Sequence, residues 1–288
     1  MRILVTGAGG QLGRDVVCAA ERAGHEVTGY DRRQLDITDQ DAVARVFDID
    51  RPQAAVNCAA HTDVDGAEGD PDAAMEVNGI GAGRVAAAAA TAAARVVQVS
   101  TDYVFDGRSR RPYVEADQAS PLSSYGRSKL AGEHAVAEAC RDHAVVRSSW
   151  LFGAGGHNFV ETMLRLAAER GEVAVVTDQV GCPTWTGHLA EALVELCAAP
   201  SRGLHHVAAD GECSWHAFAV EIFRQAGLDC AVRERVSADL DRPAPRPQYS
   251  VLRSQRDDAP RLPHWRDGLS TYLAKRATAA SDEPGSPT

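Results

Sequence analysis

Tyr125 and Lys129 stand four residues apart in Y-G-R-S-K, at the start of a stretch whose composition favours a helix. That spacing puts a phenol and an ammonium on one helical face. A free phenol has a pKa of about 10, and a neighbouring ammonium would stabilise the phenolate and bring that value down. A further hydroxyl comes from Ser100-Thr101, which closes the apolar run R-V-V-Q-V-S and so falls at the carboxyl edge of a strand, where open α/β sheets bind ligands. A phenol and a hydroxyl converging on one oxygen could protonate it as it gains charge, while Lys129 could also hold ribose hydroxyls.

Ahead of these lies a phosphate-binding pattern. V-T-G-A-G-G-Q-L-G places Gly7, Gly10 and Gly13 between an apolar strand, Arg2–Thr6, and a helical pattern opened by Gln11 and Leu12. The first glycine permits the tight turn, the second lets backbone approach a pyrophosphate, and the third allows close helix–sheet packing. The helix start then offers free N–H groups and the positive end of its dipole to an anion. Glycine-rich turns are common, so the context carries the reading: strand, turn, helix, then a second strand, Glu26–Tyr30, leading into Asp31-Arg32-Arg33. Asp31 suits both hydroxyls of an adenosine ribose, favouring NADH, whereas Arg32 and Arg33 suit a 2′-phosphate, favouring NADPH; both signals are present. Asp36 and Ile37 could flank the adenine or be an ordinary loop residue and core residue.

The elements that position these residues alternate. Apolar strand patterns at 54–59, 95–100 and 144–147 are separated by helical patterns at 39–47, 71–93 and 125–139. Such alternation predicts a parallel sheet covered on both faces, an α/β Rossmann-type doubly wound fold. Beyond residue 150 the rhythm loosens, which predicts a smaller C-terminal substrate-binding domain over 151–276. The dinucleotide-binding domain, 1–150, would be completed by elements from 185–225. Residues 277–288, A-T-A-A-S-D-E-P-G-S-P-T, read as a disordered tail.

Composition narrows the functions. In 288 residues, 30 Lys plus Arg face 40 Asp plus Glu, a formal charge of −10, which would repel a nucleic-acid backbone. No stretch approaches the roughly 18 apolar residues of a membrane span, so no membrane partner is expected and a cytoplasmic protein is. Seven cysteines without a C-x-x-C pair read as reduced core residues, and the His205-His206 pair lacks a third ligand, so no metal is expected. There is no G-x-S-x-G elbow for hydrolysis and no G-x-x-x-x-G-K-[ST] loop for phosphoryl transfer.

Taken together, the glycine turn, Ser100-Thr101 and Tyr125 with Lys129 resemble the extended short-chain dehydrogenase/reductases. Finer matches resemble their dTDP-4-dehydrorhamnose reductase branch: S-T-D-Y-V-F-D-G at 100–107, S-P-L-S-S-Y-G-R-S-K-L-A-G-E at 120–133, R-S-S-W-L-F-G at 147–153, N-F-V at 158–160, D-Q-V-G-C-P-T at 178–184 and R-P-Q-Y-S-V-L at 246–252. The resemblance implies a catalytic triad of Thr101, Tyr125 and Lys129. It implies that Ala59, Ala60 and Thr62 border the nicotinamide and diphosphate, with Ser100 also on the cofactor side, and that Cys58 is a mild departure. Asp102, Tyr103, Trp150, Asn158, Gln179, Pro183, Thr184 and Arg246 would meet a dTDP-sugar. Some relatives dimerise through acidic side chains sharing magnesium. Asp15 could match one such position, but no partners for it are evident, so a homodimer is an open expectation and the metal is not carried over.

The implied reaction is hydride transfer from NADPH or NADH to the C4 carbonyl of a dTDP-4-keto-6-deoxy sugar, with Tyr125 supplying the proton. A 4,6-dehydratase would carry Asp-Glu after the threonine, where this chain has Asp102-Tyr103. A nucleotide-sugar epimerase and a non-catalytic NADP-binding regulatory subunit are the alternatives, and the intact Thr101, Tyr125 and Lys129 speak against the second.

Overall fold

In the first strand, β1 (Arg2–Thr6), alternate residues enter different cores: Ile3 and Val5 pack on one face of the sheet and Leu4 on the other. A strand buried on both faces belongs inside a parallel sheet. In this computed structural model, which describes residues 1–282, the same alternation recurs in β3 (Ala54–Asn57), β4 (Arg95–Thr101) and β5 (His143–Ser148). With β2 (Glu26–Tyr30) at one edge and β10 (Gly203–His206) at the other, they form six parallel strands in the order β2-β1-β3-β4-β5-β10.

Helices α1 (Gln11–Arg22) and α8 (Thr186–Ala198) cover one face, through Leu12, Val16, Ala20, Leu189, Leu193 and Leu196. The other face is covered by α2 (Gln40–Asp50), α5 (Ala82–Thr91) and α6 (Ser124–Ala139). The alanines of α5 let it lie close on the sheet. The short helices α3 (Gly66–Gly69) and α4 (Pro71–Met75) precede α5, and a π-helical turn, Glu76–Gly81, joins α4 to it.

Between β5 and β10 the chain leaves the sheet to form most of a second lobe. Its pieces are β6 (Leu151–Phe152), α7 (Phe159–Glu169), β7 (Glu172–Val176), β8 (Val180–Gly181) and β9 (Thr184–Trp185). After β10 come β11 (Cys213–Ser214), α9 (Trp215–Ala226), β12 (Ala231–Arg235) and α10 (Trp265–Asp282). Phe152, Val160, Phe218, Ile222, Trp265 and Leu269 make its separate core. Helix α10 continues through 277–282, residues whose composition suggested disorder; Ala277, Ala279 and Ala280 are strong helix formers that extend it. Residues 283–288 of that expected tail lie outside the described residues.

Candidate active site

The strand order reverses between β1 and β3, and at such a switch point open α/β sheets form a ligand crevice outside the carboxyl ends of the strands. The glycine turn enters it from β1. Gly7 has φ +68°, and a Cβ on it would stand 2.6 Å from the Ala59 nitrogen. A Cβ on Gly13 would meet the Gly7 carbonyl and the Ala8 Cα, so that glycine lets α1 pack against the turn. Gly10 is the extended N-cap of α1 and, having no side chain, leaves the first N–H groups of the helix without a side-chain acceptor. The buried amide nitrogen of Gln11 beside it has no partner. An uncapped helix start, next to an unpaired buried amide, fits a pyrophosphate.

At Asp31, just past β2, one carboxylate oxygen, Oδ1, is engaged by backbone. That oxygen accepts the N–H groups of Arg33 at 2.8 Å and Gln34 at 3.0 Å, closing the turn after β2. Arg32 and Arg33 stay exposed. Asp36 accepts from the N–H and hydroxyl of Thr38, which hold its carboxyl below the usual carboxylate range. Ile37 is buried in the core under α5, so its side chain is not at an adenine edge. Ala59 and Ala60 are half-buried and Thr62 exposed just past β3, beside the glycine turn.

Thr101 ends β4, Ser123 caps α6 by accepting the Gly126 N–H, and the first turns of that helix bring Tyr125 and Lys129 to the crevice. Tyr125 lies edge-on to Tyr103, with ring centroids 5.7 Å apart. Burial pushes its phenol above the ordinary value; a hydrogen bond with Thr101 pulls it partly back, while Asp102 and Tyr103 raise it further. This corrects the expectation that Lys129 lowers it. The Lys129 ammonium donates 2.7 Å to the Val99 carbonyl, and its own burial brings it down to about 8, opposed by Glu133 and Cys58. Tyr125 is therefore a protonated phenol at neutral pH. Asp102 is buried and pushed up to about 7 by desolvation, with one carboxyl oxygen unpartnered. Ser100 turns the other way and donates 2.5 Å to Glu133, which also forms a bidentate pair with Arg147.

Two features escaped sequence reasoning. Asn78, in the π-helical turn, joins the loop after β3 to α6: it accepts from the His61 N–H at 2.8 Å and donates to the His61 carbonyl and to the Ser128 hydroxyl. A lone Asn followed by Gly79 and Gly81 within an alanine-rich helical pattern was the available signal. The other is a buried chain across three strands, in which Thr6 donates 2.5 Å to Asn57 and Asn57 donates 2.7 Å to Gln98. Gln98 then donates 2.8 Å to the same Val99 carbonyl that holds Lys129.

Of the residues expected on the substrate side, Thr101, Asp102, Tyr103 and Trp150 lie at the carboxyl edge of β4 and β5. Trp150 adopts φ +49°, a left-handed backbone, and its indole stacks on Trp215. The five others have partners within the fold. Asn158 caps α7 through the Glu161 N–H and donates 2.8 Å to the Gly153 carbonyl. Gln179 is buried and donates to Ser237. Pro183 is buried, and Thr184 bonds the Cys182 carbonyl and the Ala209 N–H. Arg246 forms a bidentate pair with Asp65, at 3.0 and 2.7 Å, instead of standing free for a diphosphate.

A profile of the RmlD substrate binding domain matches residues 1–278. The chain belongs to the RmlD family. A dTDP-4-dehydrorhamnose reductase of Streptomyces griseus is 47% identical over 99% of this chain and 97% of its own length. A dTDP-4-keto-6-deoxy-D-glucose reductase of Streptomyces niveus is 45% identical over 87% of this chain and 88% of that protein. Among solved structures, the dTDP-4-dehydrorhamnose reductase of Bacillus anthracis in complex with NADP superimposes with a TM-score of 0.93, at 37% identity, covering 95% of this chain and 99% of that one.

For an RmlD-family chain the edge of β3 and β4 is where chemistry and framework meet. Thr101, Tyr125 and Lys129 gather at the carboxyl edge of β4, where the Val99 carbonyl holds the ammonium, Asn57 and Gln98 brace that carbonyl from the sheet, and Asn78 ties α6 to the loop after β3. Among the described residues no helix is long and apolar enough to cross a membrane.

Proposed function

We propose that this chain is an NAD(P)H-dependent reductase of the C4 keto group of a dTDP-4-keto-6-deoxy sugar, converting dTDP-4-dehydrorhamnose to dTDP-L-rhamnose. The observation that carries the reading is the placement of a protonated Tyr125 beside Thr101, at the mouth of a crevice entered by the glycine turn. When bound, a reduced nicotinamide would supply the hydride. The turn at Gly7, Gly10 and Gln11 would hold its diphosphate, Lys129 its ribose, and Arg32 with Arg33 a 2′-phosphate, so NADPH is the favoured cofactor.

Reduction puts negative charge on O4 of the sugar. Tyr125, kept neutral by burial, donates its proton to that oxygen, and the Thr101 hydroxyl donates a hydrogen bond to it. Lys129, held by the Val99 carbonyl, brings positive charge to the cofactor side of the same cleft. Tyr103 edges the Tyr125 ring and narrows the space in which the phenol can move. Asp102-Tyr103 lacks the second carboxylate that dehydration at C5 and C6 would need.

A second reading, reduction of the 4-keto group of dTDP-4-keto-6-deoxy-D-glucose, whose configuration differs at C3 and C5, draws support from the Streptomyces niveus relative. Supplying dTDP-4-dehydrorhamnose and dTDP-4-keto-6-deoxy-D-glucose separately with NADPH, and identifying each product, tests both. Faster turnover of the first supports the main reading, faster turnover of the second supports the alternative, and no turnover of either overturns both.

A further inference from the structure

Trp150 is one of three non-glycine residues with a left-handed backbone among those described, and no turn requirement explains it. An L residue with a bulky side chain adopts this conformation only when its surroundings impose it. Two neighbours do. The Trp215 indole lies parallel to it, with ring centroids 3.5 Å apart and planes 3° from parallel. Gly181 leaves room for the ring, since a Cβ there would stand 2.6 Å from Trp150 Nε1. Both neighbours belong to the second lobe and are tied to each other, because β8 pairs with β11 and Gly181 lies opposite Cys213, two residues before Trp215.

Trp215 is itself braced. It is the first residue of α9, whose N-cap Ser214 accepts the Ala217 N–H, and Phe159 of α7 packs against its ring at 4.5 Å. Trp150, in contrast, stands two residues past Ser148, which is in register with Thr101. One face of its indole is therefore taken by Trp215, so Trp150 cannot stack a base on that side and serves as a fixed wall next to the reacting edge.

We propose that Trp215 is a positioning residue for sugar recognition: by stacking on Trp150 it holds that side chain as the wall against which the deoxysugar ring is placed. The assignment rests on the functional reading above. Trp215 acts through Trp150, so it governs how well the sugar is held more than how fast the bound sugar reacts. Losing an aromatic pair of this kind changes binding by roughly three- to tenfold.

The test combines steady-state kinetics and circular dichroism on Trp215→Ala, Trp215→Phe, Trp150→Ala and the double alanine variant. Parallel indoles this close couple their transitions, so the wild type should show an exciton couplet that every one of these variants loses. Trp215→Ala should raise KM for the sugar roughly three- to tenfold with kcat within about twofold and an unchanged NADPH Kd. Trp215→Phe should recover most of the KM, and Trp215→Ala should add nothing to Trp150→Ala. A folded Trp215→Ala protein with wild-type KM, a fall in kcat at constant KM, or losses that multiply in the double variant would overturn the assignment. Should the alanine variant fail to fold, Trp215→Leu, which also removes the aromatic pair, takes its place: a folded protein whose KM rises roughly three- to tenfold supports the assignment, and a folded protein with wild-type KM overturns it. An inactive wild type overturns the functional reading instead, which is distinct from active variants that match an active wild type.

Discussion

Lys129 Nζ lies 2.7 Å from the carbonyl oxygen of Val99, two residues before Thr101 on β4. That carbonyl also receives the Gln98 amide, the last link of the buried chain from Thr6. The ammonium is thus set by the sheet and not by the phenol. Its burial brings it down to about 8, so the cation is present below that pH and is lost as pH rises through it. NADPH binding should weaken across that interval, and Lys129→Met should bind weakly at every pH with no such transition. Calorimetric titration of NADPH at several pH values checks both.

Tyr125→Phe should keep the fold and cofactor affinity, since only a hydroxyl at the crevice is lost. Its turnover should fall roughly 10²- to 10⁴-fold, the usual contribution of a positioned proton donor. Single-turnover rates with saturating NADPH measure this apart from product release, and near wild-type turnover would remove Tyr125 from its role.

Cofactor choice should follow Arg32. With Oδ1 of Asp31 engaged by the Arg33 and Gln34 N–H groups, one oxygen of that carboxylate is left for ribose hydroxyls, and the exposed arginines are placed for a 2′-phosphate. NADPH should be preferred by roughly tenfold or more in kcat/KM, and Arg32→Ala should reduce NADPH use much more than NADH use. Equal loss with both cofactors would move the determinant to Arg33.

His206 should make stability depend on pH. It is buried under Phe105 with Nδ1 against the Tyr113 and Arg253 carbonyls, Nε2 unpartnered, its own N–H donating to Glu115, and Arg147 nearby. Burial and then Arg147 hold it down to about 4, against an ordinary 6.5, with Glu115 and the carbonyls opposing. Between those values the unfolded chain binds a proton that the native state refuses, so stability falls as pH drops from 6.5 toward 4, by up to roughly 3 kcal/mol. Urea unfolding of the wild type and His206→Gln across that range should show a shallower loss in the variant.

Where local chemistry and periodicity sufficed, the sequence was legible. Gly7 needs its left-handed turn and Gly13 its close contact wherever such a turn meets a helix, and Tyr125 and Lys129 need only one helical face. What was hidden depends on tertiary partners. Asn158, Gln179, Thr184 and Arg246 have the chemistry of ligand contacts, yet a helix cap, Ser237, two backbone groups and Asp65 engage them, and sequence distance conceals each partner. Two-residue strands such as β8 and β9 carry no period to read; pairing with β11 and β6 makes them. The phenol's shift was misjudged for a similar reason: helical spacing brought Lys129 near Tyr125 but could not show the Val99 carbonyl that holds it.

The most direct measurement follows deuterium. With dTDP-4-dehydrorhamnose and NADPH carrying deuterium in the transferable position, magnetic resonance of the product should show one deuterium at C4 of dTDP-L-rhamnose, with one cofactor oxidised per sugar. Sugar that gains no deuterium at C4, or that changes configuration while the cofactor ends reduced, would contradict a net 4-keto reduction.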